Sequence, residues 1–261
     1  GVMIIGTLSG CGDGTTEVAT AGDSNVSAQE TDNASDEGAA AGADTQVLNL
    51  RATSFGNNYD VQDMGWRWMM GDCYEGLYRN VADEDGEHFI LAGAESVDVS
   101  DDGLVYTFHL RDGLKWSDGT PLTANDYVYS ALRVLTPETT SQYVDMISDY
   151  VVNGQEYYDG TAKAEDVGIK ALDDKTLEFT LKAPCSYYVD LVSMWVYYPV
   201  QEATVEANGD KWTNAADTYV CNGPFKITEM NMGESIVLEK NENYWDAANV
   251  TLEKLTYRYI L

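Results

Sequence analysis

The chain has 261 residues, and its 44 acidic side chains outnumber its 15 basic ones, which gives a formal net charge of −29. So acidic a surface repels phosphate backbones and anionic lipid headgroups, which argues against nucleic-acid binding and against membrane docking through a basic patch. Hydrophobic residues make up 44% and aromatic residues 11% of the sequence, too much core-forming material for a chain disordered throughout. We therefore expect one or two folded domains.

Residues 1–11 form an apolar run that ends in Leu8-Ser9-Gly10-Cys11. The run is far shorter than the ~20 residues that a membrane-spanning helix needs, and it is typical of the end of a secretory signal peptide. It also resembles a bacterial lipobox, in which the cysteine receives a lipid and becomes the new N-terminus. We therefore predict that Cys11 is lipidated and that its acyl chains anchor the protein to the membrane, the alternative being a chance cysteine.

Residues 12–46 have the composition of a tether. They contain no Lys, Arg or aromatic residue, and eight acidic residues are spread among Gly, Ala, Ser, Thr and Asn. Such a segment cannot bury enough apolar surface to offset the entropy lost on ordering. We predict a disordered acidic linker whose like charges repel one another.

From Val47 onward the pattern is one of strands, turns and a few helices. Alternating apolar residues predict strands at Val47–Thr53, Leu104–Arg111 and Thr176–Lys182. Thr123 is placed to cap the helix that follows it, and Asp126 lies in the first turn near the positive end of the helix dipole. The chain is therefore predicted to have a mixed α/β (α+β) fold.

A turn and a hairpin are predicted near the end of the chain. Asn222-Gly223-Pro224 is a turn sequence, and it precedes the short apolar segment Phe225–Ile227. The segment Ile236–Leu238 has the same character and is predicted to pair with it as a hairpin.

The residue inventory argues against an enzyme. Common nucleophile, phosphate-loop and metalloprotease motifs are absent from the sequence, which contains only two histidines. Cys73, Cys185 and Cys221 are widely spaced and odd in number, so at least one thiol stays unpaired and a zinc site is disfavoured. We interpret these cysteines as small buried hydrophobic residues, and we predict no catalytic residue, no metal and no cofactor.

Five segments, in order, carry a resemblance to a known family. The longest, Val105–Tyr129, resembles the signature of the family 5 extracellular solute-binding proteins, which include the oligopeptide- and dipeptide-binding proteins of ABC importers. The other segments are Tyr74–Tyr78, Val167–Leu177, Asn222–Phe225 and Leu238–Trp245. The resemblance extends over residues 47–261.

The resemblance implies a periplasmic-binding-protein-like fold of type II. Residues 47–73 and 201–261 would form a discontinuous first lobe, and residues 74–200 would form an inserted second domain. Members of the family are longer and have a further lobe that closes a cleft. We therefore expect this chain to be truncated at both ends and to lack the opposing lobe.

The resemblance also implies capture of a ligand without chemistry. An extended oligopeptide would pair its backbone with the protein like an added strand, hinge closure would bury it, and an ABC permease would receive it. Matched by position, the ligand-binding residues are Asp63, Met64, Gly65, Trp66 and Tyr143. Core packing is an alternative for Tyr143 and for Trp66. We expect a monomer that is lipid-anchored on the outer face of the cell membrane, or periplasmic.

Two other functions stay open. One is a different solute for the same class of transporter, such as a dipeptide, a nickel chelate or a sugar. The other is a lipid-anchored glycan-binding or hydrolytic protein, because aromatic and acidic residues are abundant.

Overall fold

A computed structural model describes residues 46–52, 58–63, 69–84 and 86–260. Several predictions concern residues outside these ranges, namely the lipidation site Cys11, the tether up to residue 45, and the ligand-binding residues Met64, Gly65 and Trp66. Within the described ranges, no helix combines the length and the apolar character needed to cross a bilayer.

Strands and short helices alternate along the described chain. The strands are β1 (Val47–Ala52), β2 (Tyr78–Asp83), β3 (Gly86–Leu91), β4 (Ala94–Val99), β5 (Val105–Leu110), β6 (Ile169–Asp173), β7 (Thr176–Thr180), β8 (Phe225–Asn231), β9 (Ser235–Lys240) and β10 (Lys254–Tyr259). The α-helices are α1 (Met70–Cys73), α2 (Ala124–Val134), α3 (Asp145–Ser148), α4 (Gly154–Tyr158), α5 (Tyr188–Val192) and α6 (Glu202–Asn208). Short 3₁₀ turns occur at Pro137–Thr139, Ala164–Asp166, Trp195–Tyr197, Gly209–Lys211 and Ala247–Asn249.

The first sheet joins the beginning of the described chain to its end. Its strand order is β1-β10-β9-β8, and β1 lies parallel to β10 with Val47 opposite Lys254. The remaining pairs are antiparallel, and Ile227 of β8 faces Leu238 of β9. The predicted hairpin is therefore confirmed, as is the first predicted strand over the residues that are described.

The second four-stranded sheet has the order β4-β5-β7-β6 and is antiparallel throughout. The alternation predicted for β5 is confirmed, because Tyr106, Phe108 and Leu110 are buried while their neighbours are half-buried. In β7, Leu177 and Phe179 are buried in the same way, and the rings of Phe108 and Phe179 meet edge-on at 5.8 Å between centroids. Strand β7 ends at Thr180, earlier than predicted. A separate two-stranded hairpin pairs β2 with β3.

Helix α2 packs its buried side against this second sheet, contacting β6 and β7. Thr123 and Asp126 form a capping box, in which the backbone N–H of Thr123 donates to Oδ2 of Asp126 at 2.7 Å. This arrangement satisfies two of the free donors at the start of the helix. The predicted helix start is therefore confirmed.

The three cysteines of the folded region are free and buried, as the sequence predicted. Cys73 ends α1, Cys185 precedes α5, and Cys221 precedes β8. Their burial places all three among the hydrophobic core residues.

Candidate functional site

The structure brings together the two described residues of the predicted ligand site. The backbone N–H of Gln142 donates a hydrogen bond to the backbone oxygen of Asp63 at 3.2 Å. The hydroxyl of Thr140 donates to Oδ1 of the Asp63 carboxylate at 3.3 Å, and Nδ2 of Asn58 donates to Oδ2 at 2.5 Å. The loop that leads into Tyr143 is therefore tied to Asp63 through both backbone and side chain.

Asp63 is a partly shielded carboxylate. Burial raises its pKa, and the nearby negative charge of Asp60 acts in the same direction. Hydrogen bonds from Thr140 and Asn58 oppose this shift because they stabilise the ionised form.

Thr140 holds a left-handed backbone conformation with φ of 54°, which is unusual for a residue with a branched side chain. The loop therefore keeps its shape at a local conformational cost.

Tyr143 is half-buried and packs against a second aromatic side chain. Its ring meets that of Trp195 edge-on, with 5.2 Å between the centroids and 80° between the planes. Trp195 is itself half-buried and begins the 3₁₀ turn Trp195–Tyr197. Here the hydroxyl of Tyr197 donates to the backbone oxygen of Met146 at 2.7 Å, which fixes the turn against α3. Tyr143 and Trp195 are thus both partly exposed to solvent.

The segment before the predicted ligand-pairing residues is held by a buried ion pair. The two terminal nitrogens of Arg133, on α2, donate to the Asp60 carboxylate at 3.1 Å and 2.5 Å. The same guanidinium donates to Oε1 of Gln62 at 2.9 Å, and Nε2 of Gln62 donates to the backbone oxygen of Ser130 at 2.9 Å. Residues 58–63 are therefore attached to one side of α2.

Aromatic side chains hold the same segment from another direction. The indole N–H of Trp212 donates to Oδ2 of Asp60 at 3.3 Å, and the hydroxyl of Tyr219 donates to the backbone oxygen of Tyr59 at 3.1 Å. The rings of Trp212 and Tyr219 are stacked, with 5.7 Å between centroids and 14° between planes. We call this set of residues, Asp60, Gln62, Arg133, Trp212 and Tyr219, the clamp.

The ion pair in the clamp is well matched electrostatically. Burial by itself lowers the pKa of the Arg133 guanidinium, but the hydrogen bonds and the charge of Asp60 outweigh it and raise that pKa above its ordinary value. The guanidinium therefore stays charged over the whole physiological range. A buried carboxylate needs such a partner to remain ionised.

Sequence analysis missed the clamp and Trp195. Asp60 and Arg133 are separated by 73 residues, and no local period or spacing connects them. Trp195 stands in an apolar run, where a ligand-facing tryptophan cannot be told from a core residue. Correlated substitutions at positions 60 and 133 in an alignment of relatives would have been the signal for the Asp60–Arg133 pair.

A second buried cluster connects the segments that carry the family resemblance. The Glu75 carboxylate accepts a hydrogen bond from the hydroxyl of Tyr244 at 2.6 Å and from the indole N–H of Trp245 at 2.5 Å. Burial raises the pKa of Glu75, and these hydrogen bonds together with the charge of Arg79 oppose that rise. The Arg111 guanidinium lies over the Trp245 ring, 4.1 Å from its centroid. This cluster joins the start of β2 to the turn after β9 and has a structural role.

Two surface cavities of the described residues lie elsewhere. One of about 300 Å³ is lined by residues that include Tyr150, Lys182 and Tyr187. The other, of about 590 Å³, is lined by residues 214–217 and 227–231. Among the described residues, Cys, His, Asp and Glu do not gather in threes to make a metal site.

Comparison with known proteins places these features in a family. Residues 89–261 match the family described as "Bacterial extracellular solute-binding proteins, family 5 Middle". The chain is 42% identical over 184 residues to the oligopeptide-binding protein OppA of Bacillus subtilis. This match covers 70% of this chain and 33% of OppA. It is 37% identical over 208 residues to the dipeptide-binding protein DppE of the same organism, covering 80% and 37% respectively. The chain thus spans about a third of the length of these relatives.

A solved structure shows the same fold. The structure of Listeria monocytogenes OppA bound to peptide matches with a TM-score of 0.77 and 35% sequence identity. The match covers 84% of this chain and 43% of that one. The mixed α/β fold is therefore that of periplasmic solute-binding proteins.

Proposed function

Because this chain belongs to the bacterial extracellular solute-binding proteins of family 5, we propose that it is part of a peptide-binding component of an ABC importer. In this proposal the protein captures oligopeptides outside the cytoplasmic membrane and delivers them to a membrane permease. It performs no chemical step on its ligand.

The observation that carries the proposal is the hydrogen bond between the Gln142 amide and the Asp63 backbone oxygen. It holds the end of segment 58–63 beside the loop that leads into Tyr143. The clamp fixes the same segment to α2 through Arg133 and Gln62. Residues 64–66, the proposed ligand-pairing residues, directly follow this segment in the sequence.

This arrangement suits recognition of a peptide backbone. An extended peptide beside residues 64–66 would exchange main-chain hydrogen bonds in the manner of an added strand, which gives affinity with little dependence on sequence. The partly exposed rings of Tyr143 and Trp195 would supply apolar contact, and the Tyr143 hydroxyl would supply a polar one. A permanent cavity is not needed, because family members of this kind enclose their ligands by hinge closure.

The proposed location follows from the family and from the N-terminal residues. A lipid on Cys11 would hold the protein at the outer face of the membrane, and the acidic segment 12–46 would let the folded region move relative to that anchor. Its partners would be the oligopeptide and the transmembrane subunits of the permease. We propose that it acts as a monomer.

The test is isothermal titration of the protein produced from its natural gene with a panel of ligands. The panel contains dipeptides, tripeptides, longer peptides of mixed sequence, an oligosaccharide and a nickel chelate. We expect the longer peptides to bind and the oligosaccharide and chelate to give no heat. Binding of dipeptides alone, or of the oligosaccharide without any peptide, would overturn the proposal.

A matched pair of tyrosine variants tests the site. Tyr143→Ala removes the edge contact with Trp195 and is expected to weaken peptide binding by about tenfold. Tyr187→Ala removes a comparable edge contact with Tyr150, neither of which is a predicted ligand-site residue, and the affinity of this variant is expected to stay within about twofold of the parent. Equal affinities in both variants would argue that Tyr143 is a core residue.

A further inference from the structure

Two cysteines far apart in the sequence lie against each other in the core. Cys73 at the end of α1 and Cys221 ahead of β8 are both fully buried. Burial raises the pKa of the Cys73 thiol, and the nearby Cys221 thiol adds to this shift. The third buried cysteine, Cys185, lies near Tyr188 and Tyr197 and is not among the groups that shift the pKa of Cys73. The pair is therefore specific within the described part of the chain.

The backbones that carry the pair are pinned together on both sides. The amide of Gly223 donates to the backbone oxygen of Cys73 at 2.7 Å. One residue along, the Asn222 side chain accepts from the Glu75 amide at 3.2 Å and donates to the Glu75 backbone oxygen at 2.8 Å. The hydroxyl of Tyr74 donates to the backbone oxygen of Val220 at 3.0 Å. Four hydrogen bonds thus fix how the two segments face each other.

The two segments approach each other closely at Gly223. A Cβ atom built on Gly223 would lie 2.5 Å from the carbonyl carbon of Cys73 and 2.6 Å from its oxygen. A side chain at position 223 is therefore excluded. Residues 220 and 223, on either side of Cys221, are thus both held against residues 73 and 74.

From this geometry we propose that Cys73 and Cys221 form a disulfide bond when a disulfide donor is present. Cys185 stays reduced, which agrees with the odd number of cysteines in the folded region. A bond between these residues would close a loop of more than a hundred residues and would tie α1 to the start of β8. The compartment outside the cytoplasmic membrane, where we propose that the protein acts, is one in which disulfides form and persist.

The reaction is a thiol–disulfide exchange with a small-molecule or protein disulfide as the oxidant. The thiolate of one cysteine attacks the donor disulfide, forms a mixed disulfide and expels one donor thiolate. The thiolate of the second cysteine then attacks the sulfur of the first and expels the other donor thiolate. Two cysteine thiols are oxidised, one donor disulfide is reduced to two thiols, and the two protons pass to the expelled thiolates.

The burial of the two thiols determines when the disulfide bond can form. In the folded protein both are buried, and burial raises the pKa of the Cys73 thiol, so little thiolate is present and a donor has no access. The bond therefore forms while the chain folds, before the core closes. Once folded, the reduced and the oxidised protein should exchange slowly.

The test is refolding of the chain, with Cys11→Ser to remove the N-terminal thiol, in a buffer of oxidised and reduced glutathione. The product is denatured, alkylated without reduction, digested and analysed by mass spectrometry. We expect a linked pair of peptides carrying Cys73 and Cys221, two hydrogen masses lighter than the separate peptides, and an alkylated Cys185. Adding dithiothreitol before alkylation should label all three cysteines of the folded region.

Variants identify the pair and guard against misfolding. Cys185→Ala should keep the linked peptides and the higher thermal midpoint of the oxidised protein, whereas Cys221→Ala should lose both and leave Cys73 alkylated. Full alkylation of Cys73 and Cys221 in the parent after refolding, or a link from either to Cys185, would overturn the proposal. This readout does not involve peptide binding, so it fails or succeeds independently of the proposed function.

Discussion

Arg133, in the last turn of α2, donates hydrogen bonds from its two terminal nitrogens to the carboxylate of Asp60. Asp60 also accepts a hydrogen bond from the indole N–H of Trp212. The side chains of the ion pair are only 17% and 7% exposed, so water screens the pair little. Removing one partner of such a pair leaves the other charge buried without compensation.

We expect Arg133→Met to lower the free energy of unfolding by about 3 kcal/mol, because it leaves the Asp60 charge buried without compensation. Urea denaturation measures the change. The double variant Asp60→Asn/Arg133→Met should recover part of the loss, because it removes the stranded charge as well.

The control for this experiment is the exposed pair of Lys163 and Glu165, whose side chains are 77% and 74% exposed. Lys163→Met should leave the denaturation midpoint unchanged. An equal effect of Lys163→Met and Arg133→Met would contradict the role assigned to the clamp.

Asp72 gives the protein a stability that falls as pH rises. Burial raises the pKa of its carboxyl from the ordinary value of 3.8 to about 6, although a hydrogen bond from the Tyr257 hydroxyl at 2.5 Å opposes the rise. Because the folded state holds this proton more tightly than the unfolded state, its contribution to stability is complete below about pH 4 and declines through pH 6. Asp72→Asn should remove this decline.

The measurement is the unfolding free energy of the parent and of Asp72→Asn between pH 4 and pH 7. We expect the variant to gain on the order of 2 kcal/mol relative to the parent across that range. Tyr257→Phe should show a larger decline than the parent, because the variant lacks the hydrogen bond that favours the charged form of Asp72. Parallel pH profiles of parent and Asp72→Asn would show that Asp72 does not titrate in this window.

Gly223 is required because of its neighbours rather than its backbone angles. Gly223→Ala would place a methyl group against the backbone of Cys73, and we expect a loss of at least ~2 kcal/mol in the free energy of unfolding, or failure to fold. Gly233→Ala is the matched control. Gly233 has a positive φ of 81° but open space around it, so its replacement should cost only about 1 kcal/mol.

Thermal denaturation of the two glycine variants distinguishes a steric requirement from a conformational one. A larger loss for Gly233→Ala than for Gly223→Ala would mean that the close approach to Cys73 relaxes easily.

Cys11→Ala tests the predicted lipid anchor. In the protein expressed from its natural gene in a bacterial host, the parent is expected in the membrane fraction with incorporated labelled fatty acid. The variant should incorporate no label and should leave the membrane fraction. An unlipidated parent, or a variant that stays membrane-bound, would contradict the prediction.

Features that depend on neighbouring residues in the chain could be predicted from the sequence. The alternation of Tyr106, Phe108 and Leu110 and the capping box of Thr123 and Asp126 both follow from local geometry. Their formation requires no information from distant segments.

Features that depend on distant segments could not be predicted in this way. The Asp60–Arg133 ion pair and the Tyr143–Trp195 contact join residues that share no period or spacing. Asp63 and Tyr143 are assigned to the same predicted ligand site only through the family resemblance, because nothing in either residue's local sequence connects them. The ligand-binding roles of Asp63, Met64, Gly65, Trp66 and Tyr143 stay predictions.

The parallel pairing of β1 with β10 has a consequence for how the protein is made. Its two strands are about 200 residues apart, so at typical synthesis rates β1 waits roughly 10–40 s before its partner exists. During that interval the edge of β1 that later pairs with β10 is open. Val47 and Leu48 of this strand stay exposed even in the folded protein. Nascent chains should therefore be most vulnerable to aggregation before β10 is made, and a chaperone that binds extended apolar segments would be most useful at β1.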